Sequence, residues 1–151
     1  MLFRSKTDWG VYGIIDQLVW RMPDSKGPKG IGVFARMIGG PTEQNLVDFY
    51  ADGGITFSGM FPHRPNDILA AGFAYTGISN DVRGSNGSQG LANAGNFEAL
   101  FEVCYTAQLN PGWTFQPDFQ YIWQPEGGAS EPSGKTVPNA AVWGVRTTIN
   151  F

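Results

Sequence analysis

The chain has 151 residues with 10 Lys and Arg against 13 Asp and Glu, and this formal net charge of −3 argues against a nucleic-acid partner. Charged residues make up 15%, against roughly 25% in ordinary soluble domains, while the 21 glycines are about twice the usual share. No stretch approaches the roughly 18 to 20 consecutive apolar residues of a membrane-spanning helix, which excludes a helical membrane bundle.

Seven segments alternate between apolar and polar residues with a period of two, which is the pattern of strands that separate two environments. Stretches rich in turn residues separate them. The first segment is the least clear, because Asp16 and Gln17 fall on opposite faces. The predicted strands are Trp9–Arg21, Ile31–Gly39, Leu46–Phe57, Ile68–Thr76, Phe97–Leu109, Thr114–Gln124 and Ala140–Phe151.

In the second to fourth segments, the charged residues fall on even-numbered positions, and most of the larger apolar residues fall on odd-numbered ones. Phe34, which shares its face with Gly32 and Arg36, is an exception. In the third segment, Val47, Phe49 and Ile55 share one face and oppose Asp48 and Asp52. Side chains alternate between the faces of a strand, so one face of each of these segments is predicted to be apolar.

The fifth and sixth segments show the alternation most clearly. Phe101 and Tyr105 lie on one face of the fifth, and Glu98 and Glu102 lie on the other. In a helix these four residues would share a face, so the helical interpretation fails. Both segments run about eleven to thirteen residues, slightly beyond the roughly nine to eleven that cross a bilayer at a tilt.

The turn between these two strands tests the assignment. Opposed residues must point to the same side, so an odd number of residues is expected in the loop. Asn110-Pro111-Gly112 and Pro111-Gly112-Trp113 both give a three-residue hairpin turn, which is a common length.

The seventh segment ends the chain on Phe151, with Trp143 and Ile149 on its apolar face and Arg146 on the other. A terminal strand that ends in Phe resembles the assembly signal of bacterial outer-membrane barrels. Two connections, Ile78 to Asn96 and Pro125 to Asn139, are long and polar, whereas the turn after Leu109 is short. Outer-membrane barrels have long outer loops and short periplasmic turns.

With these blocks in place, the chain resembles the C-terminal half of the carbohydrate-selective porin family (OprB-type). The resemblance rests on WGVYGIIDQLVWR, GIGVFARMIGGP, NLVDFYADGGITFSGMFPHRPND, AAGFAYTGIS, FEALFEVCYTAQLNPGWTFQPDFQYIWQPEGG and VPNAAVWGVRTTINF. It implies an all-β, antiparallel up-and-down transmembrane barrel of about sixteen strands, of which this chain would supply about seven. It also implies a homotrimer in the Gram-negative outer membrane, in contact with its lipid, that passes mono- or oligosaccharides by passive diffusion without a cofactor.

Length departs from that family. Single-chain bacterial barrels have an even number of strands and at least about eight. We therefore expect residues 1–151 to be one partial barrel domain, with 1–8 a leader before the first strand and an N-terminal half of the barrel missing. No signal peptide is visible after Met1, although export to the outer membrane requires one.

The candidate pore-lining residues are the polar and charged side chains on the inward face of these strands. They offer hydrogen-bond donors and acceptors that replace hydration water around a passing sugar, although each one could equally be generic wetted lining. Inward aromatic residues such as Tyr50 and Phe34 could stack on sugar faces. The candidates are Arg36, Asp48, Tyr50, Asp52, Glu98, Glu102, Gln108, Gln116, Asp118, Gln120 and Arg146.

Glycoside hydrolysis and metal binding are two further functions that the residue types could suggest. Glycoside hydrolysis is disfavoured, because Asp48 and Asp52 are about 13 Å apart along a strand, beyond the roughly 5 to 9.5 Å that a catalytic pair needs. No metal site is expected, since His63 and Cys104 are the single residues of their types. A soluble carbohydrate-binding β-sandwich and an inactive truncated porin fragment are the alternatives to a sugar pore.

Overall fold

The computed structural model describes residues 8–23, Ser25, 27–43, 45–79, 95–129 and 134–151. They form one antiparallel sheet of seven strands in which each strand lies beside its neighbours in the chain. The strands are β1 (Val11–Arg21), β2 (Gly30–Gly39), β3 (Val47–Ser58), β4 (Ile68–Ile78), β5 (Phe97–Asn110), β6 (Trp113–Trp123) and β7 (Ala140–Ile149). A short segment, α1 (Pro125–Gly128), follows β6, but Glu126 and Gly127 have left-handed backbone angles, so it is not a regular helix.

The predicted all-β, up-and-down fold is confirmed, and each strand begins and ends within two residues of its predicted bounds. A β-sandwich requires two sheets packed face to face. The described residues form a single sheet, so the structure does not favour the sandwich alternative. Within these residues, no helix is long and apolar enough to cross a membrane.

The register gives the sheet two chemically different faces. From β2 to β7, residue pairs such as Arg36–Asp52, Gly72–Glu102 and Gln116–Arg146 join even-numbered positions. Directly opposed residues point to the same side, so the even-numbered positions form one face, here called the polar face. The odd-numbered positions form the apolar face, and no charged residue of β2–β7 has an odd number.

Aromatic rings lie side by side on the apolar face. The ring centroids of Phe119 and Trp143 are 4.6 Å apart, and those of Tyr75 and Phe97 are 5.4 Å apart and nearly parallel. Trp143 is 80% exposed. Apolar surface this large and continuous marks a site that contacts lipid or another chain.

An irregularity explains why the alternation in β1 is hard to read. Leu18 pairs with Gly32, but the register then shifts, so that Trp20 pairs with Ile31 and Arg21 with Gly30. The extra residue in β1 places Trp20 on the apolar face and Arg21 on the polar face. Asp16 and Gln17 remain on opposite faces, as the alternation predicts.

The turn between β5 and β6 differs from the prediction in length. The strands pair up to Asn110 and Trp113, which leaves a two-residue turn of Pro111 and Gly112. Gly112 has φ +79°, a left-handed conformation that glycine adopts without strain. An irregularity between Gln108 and Asn110 absorbs one residue of β5, so the predicted pairing of even with even positions still holds.

Few apolar side chains are sealed from solvent. Among the residues that the structure describes, the buried hydrophobic ones are Ile78, Ala99, Ala107 and Ala129, and the buried polar ones are Asp67 and Ser79. The stability of this sheet therefore depends on strand pairing and on what covers its two faces, because a packed interior between layers is missing from the described residues.

Candidate functional site on the polar face

Strand register aligns the polar-face side chains in rows that cross the sheet. Ten of the eleven predicted site residues, all except Asp48, occupy register positions on this face, and they come from five different strands. Three rows fall near the middle of the strands: Ile14–Arg36–Asp52–Ala74–Leu100–Ile122, Asp16–Phe34–Gly54–Gly72–Glu102–Gln120, and Leu18–Gly32–Thr56–Ala70–Cys104–Asp118.

Arg36 and Asp52 form a two-pronged ion pair across β2 and β3. Nε of Arg36 donates to Oδ1 of Asp52 at 2.9 Å, and a second guanidinium nitrogen donates to Oδ2 at 2.5 Å. The Arg36 side chain is 50% exposed, whereas Asp52 is 10% exposed. The planar guanidinium matches the geometry of a carboxylate, so this pair holds both side chains in one orientation on the polar face.

Side chains on β5, β6 and β7 continue the polar surface. Nε2 of Gln120 donates to Oε2 of Glu102 at 3.3 Å across β5 and β6. The Asp118 carboxylate lies directly over Gly144. A Cβ placed on that glycine would lie 2.4 Å from Oδ1 of Asp118, so a larger residue at position 144 would displace the carboxylate.

Two further predicted residues, Gln116 on β6 and Arg146 on β7, are directly opposed in the register. Tyr50 on β3 lies opposite Ile38 on one side and Thr76 on the other. These three predicted residues therefore share the polar face with the central rows.

Glu98 supports a loop. Its Oε2 accepts a hydrogen bond of 2.7 Å from the backbone nitrogen of Glu126 in α1, and this contact brings the buried Gly127 toward the end of β4. A Cβ on Gly127 would lie 2.0 Å from Cδ1 of Ile78, so α1 can pack this closely only with glycine at that position. The sequence placed Glu98 on the correct face but did not show this contact.

Asp48 lies where the pairing of β3 with β4 is irregular. Val47 pairs with Ile78 and Phe49 with Gly77, so Asp48 has no opposed residue. Its backbone oxygen accepts a hydrogen bond from Gly40 at 3.0 Å. The alternation of faces therefore does not fix the side of the sheet on which this carboxylate lies.

Sequence reasoning missed a buried carboxylate in the connection between β3 and β4. The side chain of Asp67, a residue that is 1% exposed, accepts hydrogen bonds from the Tyr105 hydroxyl, from the Gln108 backbone nitrogen at 3.0 Å and from Nε of Arg64 at 2.6 Å. The Phe61 ring packs edge-on against Tyr105 at 5.5 Å. The spacing of Arg64 and Asp67 in FPHRPND was the available signal, but both lay in a stretch predicted only as a connection.

Burial raises the pKa of Asp67, but the hydrogen bonds from Tyr105, Gln108 and Arg64 outweigh it, and the net pKa lies below the usual aspartate value. Hydrogen bonding to Asp67 in turn raises the pKa of Arg64. The cluster is therefore an ionised network that fixes the β3–β4 connection against β5.

The polar face offers many acceptors and few cations. Between β2 and β7, the regular register positions carry four carboxylates (Asp52, Glu98, Glu102 and Asp118) against two guanidinium groups (Arg36 and Arg146). Such a surface can exchange hydrogen bonds with hydroxyl groups and with water. It can also favour cations over anions.

A profile of the carbohydrate-selective porin family (OprB) matches residues 3–151. Porin B of Pseudomonas aeruginosa is 28% identical over 161 residues, covering 99% of this chain and 34% of Porin B. A high-pH structure of OprB from Pseudomonas putida superposes with a TM-score of 0.77 at 23% identity, covering 94% of this chain and 35% of that chain. The structural likeness shows a shared fold, and the chain spans about a third of the length of both relatives.

Proposed function

The chain belongs to the OprB family of carbohydrate-selective porins, and on that premise we propose that its strands form part of the wall of a water-filled pore. Sugars cross the bacterial outer membrane through this pore by passive diffusion. The observation that carries the proposal is the register, which gathers every charged residue at a regular position of β2–β7 on one face.

The two faces suit lipid on one side and water on the other. Strands of outer-membrane barrels alternate between apolar residues that face lipid and polar residues that face the lumen. The exposed rings of Phe73 and Trp143 belong to the apolar face. Exposed aromatic residues of this kind would be unfavourable in water but suit the interface of a bilayer.

The proposed wall is incomplete within these strands. β1 and β7 are the two edges of the sheet. Each unpaired backbone group at an edge costs several kcal/mol in hydrocarbon, so both edges need partner strands to lie in a membrane. We propose that further strands of a larger barrel pair with β1 and β7, and that the intact barrel assembles as a homotrimer surrounded by outer-membrane lipid.

The candidate pore-lining residues keep their proposed role as sugar contacts, except for Glu98. Those with both the side of the sheet and the hydrogen-bonding groups for this role are Arg36, Asp52, Glu102, Gln108, Gln116, Asp118, Gln120 and Arg146. Asp48 stays a candidate by its chemistry, although the register does not fix its side of the sheet. Tyr50 adds an aromatic ring. Glu98 is engaged with the backbone of α1, so its role in this proposal is to position that segment.

Transport without catalysis fits the placement of the carboxylates. Glu98 and Glu102 lie on the same strand, about 13 Å apart at the usual rise, which exceeds the separation that glycosidases use. Asp52 is held by Arg36 and Glu98 by α1. We therefore propose that this surface binds and releases sugars chemically unchanged.

Membrane fractionation followed by liposome swelling tests this function. The protein that carries these strands is expected in the outer-membrane fraction, and vesicles containing it should swell faster in glucose than in larger oligosaccharides. Recovery in the soluble fraction would contradict the proposal. Insertion without sugar flux would contradict it as well and would favour the inactive-fragment alternative.

A further inference from the structure

A cavity of about 260 Å³ lies on the polar face at the centre of the sheet. Its floor is formed by Ala70, Gly72 and Ala74 of β4. Its sides are formed by residues of the neighbouring strands, with Phe34 on β2 and Glu102 on β5. The volume is slightly below the roughly 300 to 1,000 Å³ of sites for drug-sized ligands, so it suits a single small ring.

Phe34 reaches this cavity because Gly54 has no side chain. The two residues are directly opposed in β2 and β3. A Cβ on Gly54 would lie 2.7 Å from Cε1 of the Phe34 ring and 2.7 Å from the carbonyl oxygen of Ala71. The ring therefore leans across β3 into the space above Gly54 and borders the cavity with an apolar surface.

Two carboxylates border the same cavity with acceptor capacity left over. Asp52 is oriented by Arg36, with Nε to Oδ1 at 2.9 Å. Glu102 accepts one hydrogen bond of 3.3 Å, from Gln120. An ionised carboxylate has about four lone-pair sites, so each can also accept hydrogen bonds from ligand hydroxyl groups.

An aromatic ring beside a pair of oriented acceptors defines the chemistry of the ligand. A pyranose has an apolar C–H face that can pack on a ring and hydroxyl groups at its edge that donate hydrogen bonds. Arg36 balances the charge of Asp52, whereas the contact partner of Glu102 is a neutral amide. An anionic sugar would therefore be repelled by Glu102.

We propose that this cavity is a binding subsite for one neutral pyranose ring, with Phe34 as the packing surface and Asp52 and Glu102 as hydroxyl acceptors. The inference rests on the proposed function, since it gives a specific position to a sugar in transit. It gives the Phe34 ring a defined position in the pore wall, with Gly54 as the residue that makes room for the ring, and it predicts that uronic acids bind poorly.

The test is saturation-transfer NMR on the protein that carries these strands, in detergent micelles, titrated with methyl β-D-glucopyranoside and with methyl β-D-glucuronide, which has the same ring with one added carboxylate. The glucoside should bind and the glucuronide should not. Phe34→Ala should weaken glucoside binding about ten-fold, which corresponds to about 1.4 kcal/mol. Phe115→Ala, which removes an exposed ring from the apolar face of β6 away from the cavity, is the matched control and should leave the affinity unchanged.

Two further variants keep the test decisive if Phe34→Ala does not refold. Ala74→Leu fills the cavity floor and should abolish binding, and Glu102→Gln should allow the glucuronide to bind. Equal glucoside affinity in the original protein and in Ala74→Leu would overturn the subsite, as would equal binding of glucoside and glucuronide. Binding in micelles does not require conduction, so a chain that binds the glucoside but passes no sugar would contradict the pore and leave the subsite supported.

Discussion

Tyr105 and Asp67 are joined by a hydrogen bond that ties the β3–β4 connection to β5. Tyr105 lies on the apolar face and donates its phenolic hydrogen to a carboxylate 38 residues earlier in the chain. Asp67 is buried and ionised. This end of the sheet therefore carries a polar cluster at a position where Tyr105, as a residue of the apolar face, would be expected to contact lipid.

Removing this carboxylate should destabilise the sheet. Asp67→Ala leaves the Tyr105 hydroxyl, the Gln108 backbone nitrogen and Arg64 without their shared acceptor, and we expect a loss of about 2 to 4 kcal/mol in the free energy of unfolding. Urea titration followed by tryptophan fluorescence in lipid vesicles measures it. The neighbouring exposed residue Asn66 provides the control, since Asn66→Ala should change stability by no more than about 0.5 kcal/mol.

The same carboxylate predicts a dependence of stability on pH. Asp67 has a pKa below its usual value in the folded chain, whereas the unfolded value is near 3.9. The unfolded state therefore binds more protons in the range between these values, and the stabilisation is lost as pH falls from about 4 through the folded pKa. Unfolding midpoints measured from pH 7 downward should converge for the original chain and Asp67→Asn. A constant gap down to the lowest pH would contradict this assignment.

The ion pair on the polar face predicts a change in ionic preference. Arg36→Ala leaves Asp52 without its cation and makes the surface more negative, so the preference of the pore for K⁺ over Cl⁻ should rise about two-fold. Reversal potentials in planar bilayers under a KCl gradient measure this ratio. Lys135→Ala removes one positive charge outside the strands and should leave the ratio unchanged.

Glu98 predicts the behaviour of the segment after β6. Without the Glu98 carboxylate to accept the hydrogen bond from the Glu126 backbone nitrogen, α1 should detach from β5, and trypsin should cleave after the exposed Lys135 several-fold faster in Glu98→Ala than in the original chain. Glu126→Ala removes a nearby carboxylate but keeps the backbone donor, so its cleavage rate should stay the same. Equal rates in all three chains would show that the hydrogen bond does not hold the segment.

Strand positions and faces could be predicted from the sequence because a period of two is a local property. The irregularities at Val19, Asp48 and Leu109 could not, since an extra residue in one strand is recognised only when its partner strand is known. This is why Arg21 lies on the polar face although simple alternation puts it on the other one, and why the turn before Trp113 is one residue shorter than predicted.

Contacts between distant parts of the chain account for what the sequence left out of the site. The Phe34 ring can lean across β3 because Gly54 has no side chain. From the sequence alone, this glycine is expected only to weaken β3. Asp67 gains its importance from Tyr105 and Gln108 on another strand. Residues such as Arg36 and Asp52 were predictable individually, but their pairing requires the register of β2 with β3.

A cysteine scan along β5 in bilayers tests most directly whether the two faces of the sheet meet water and lipid. Cys104 is the native cysteine on the polar face, and Cys104→Ser provides the background for Phe101→Cys, Glu102→Cys and Val103→Cys. We predict that positions 102 and 104 react with a water-soluble thiol reagent, while positions 101 and 103 are protected. A fluorescent label attached at 101 or 103 by a membrane-permeant maleimide should be quenched by a lipid-bound nitroxide. Equal reactivity at all four positions, or reactivity confined to 101 and 103, would contradict a membrane pore wall.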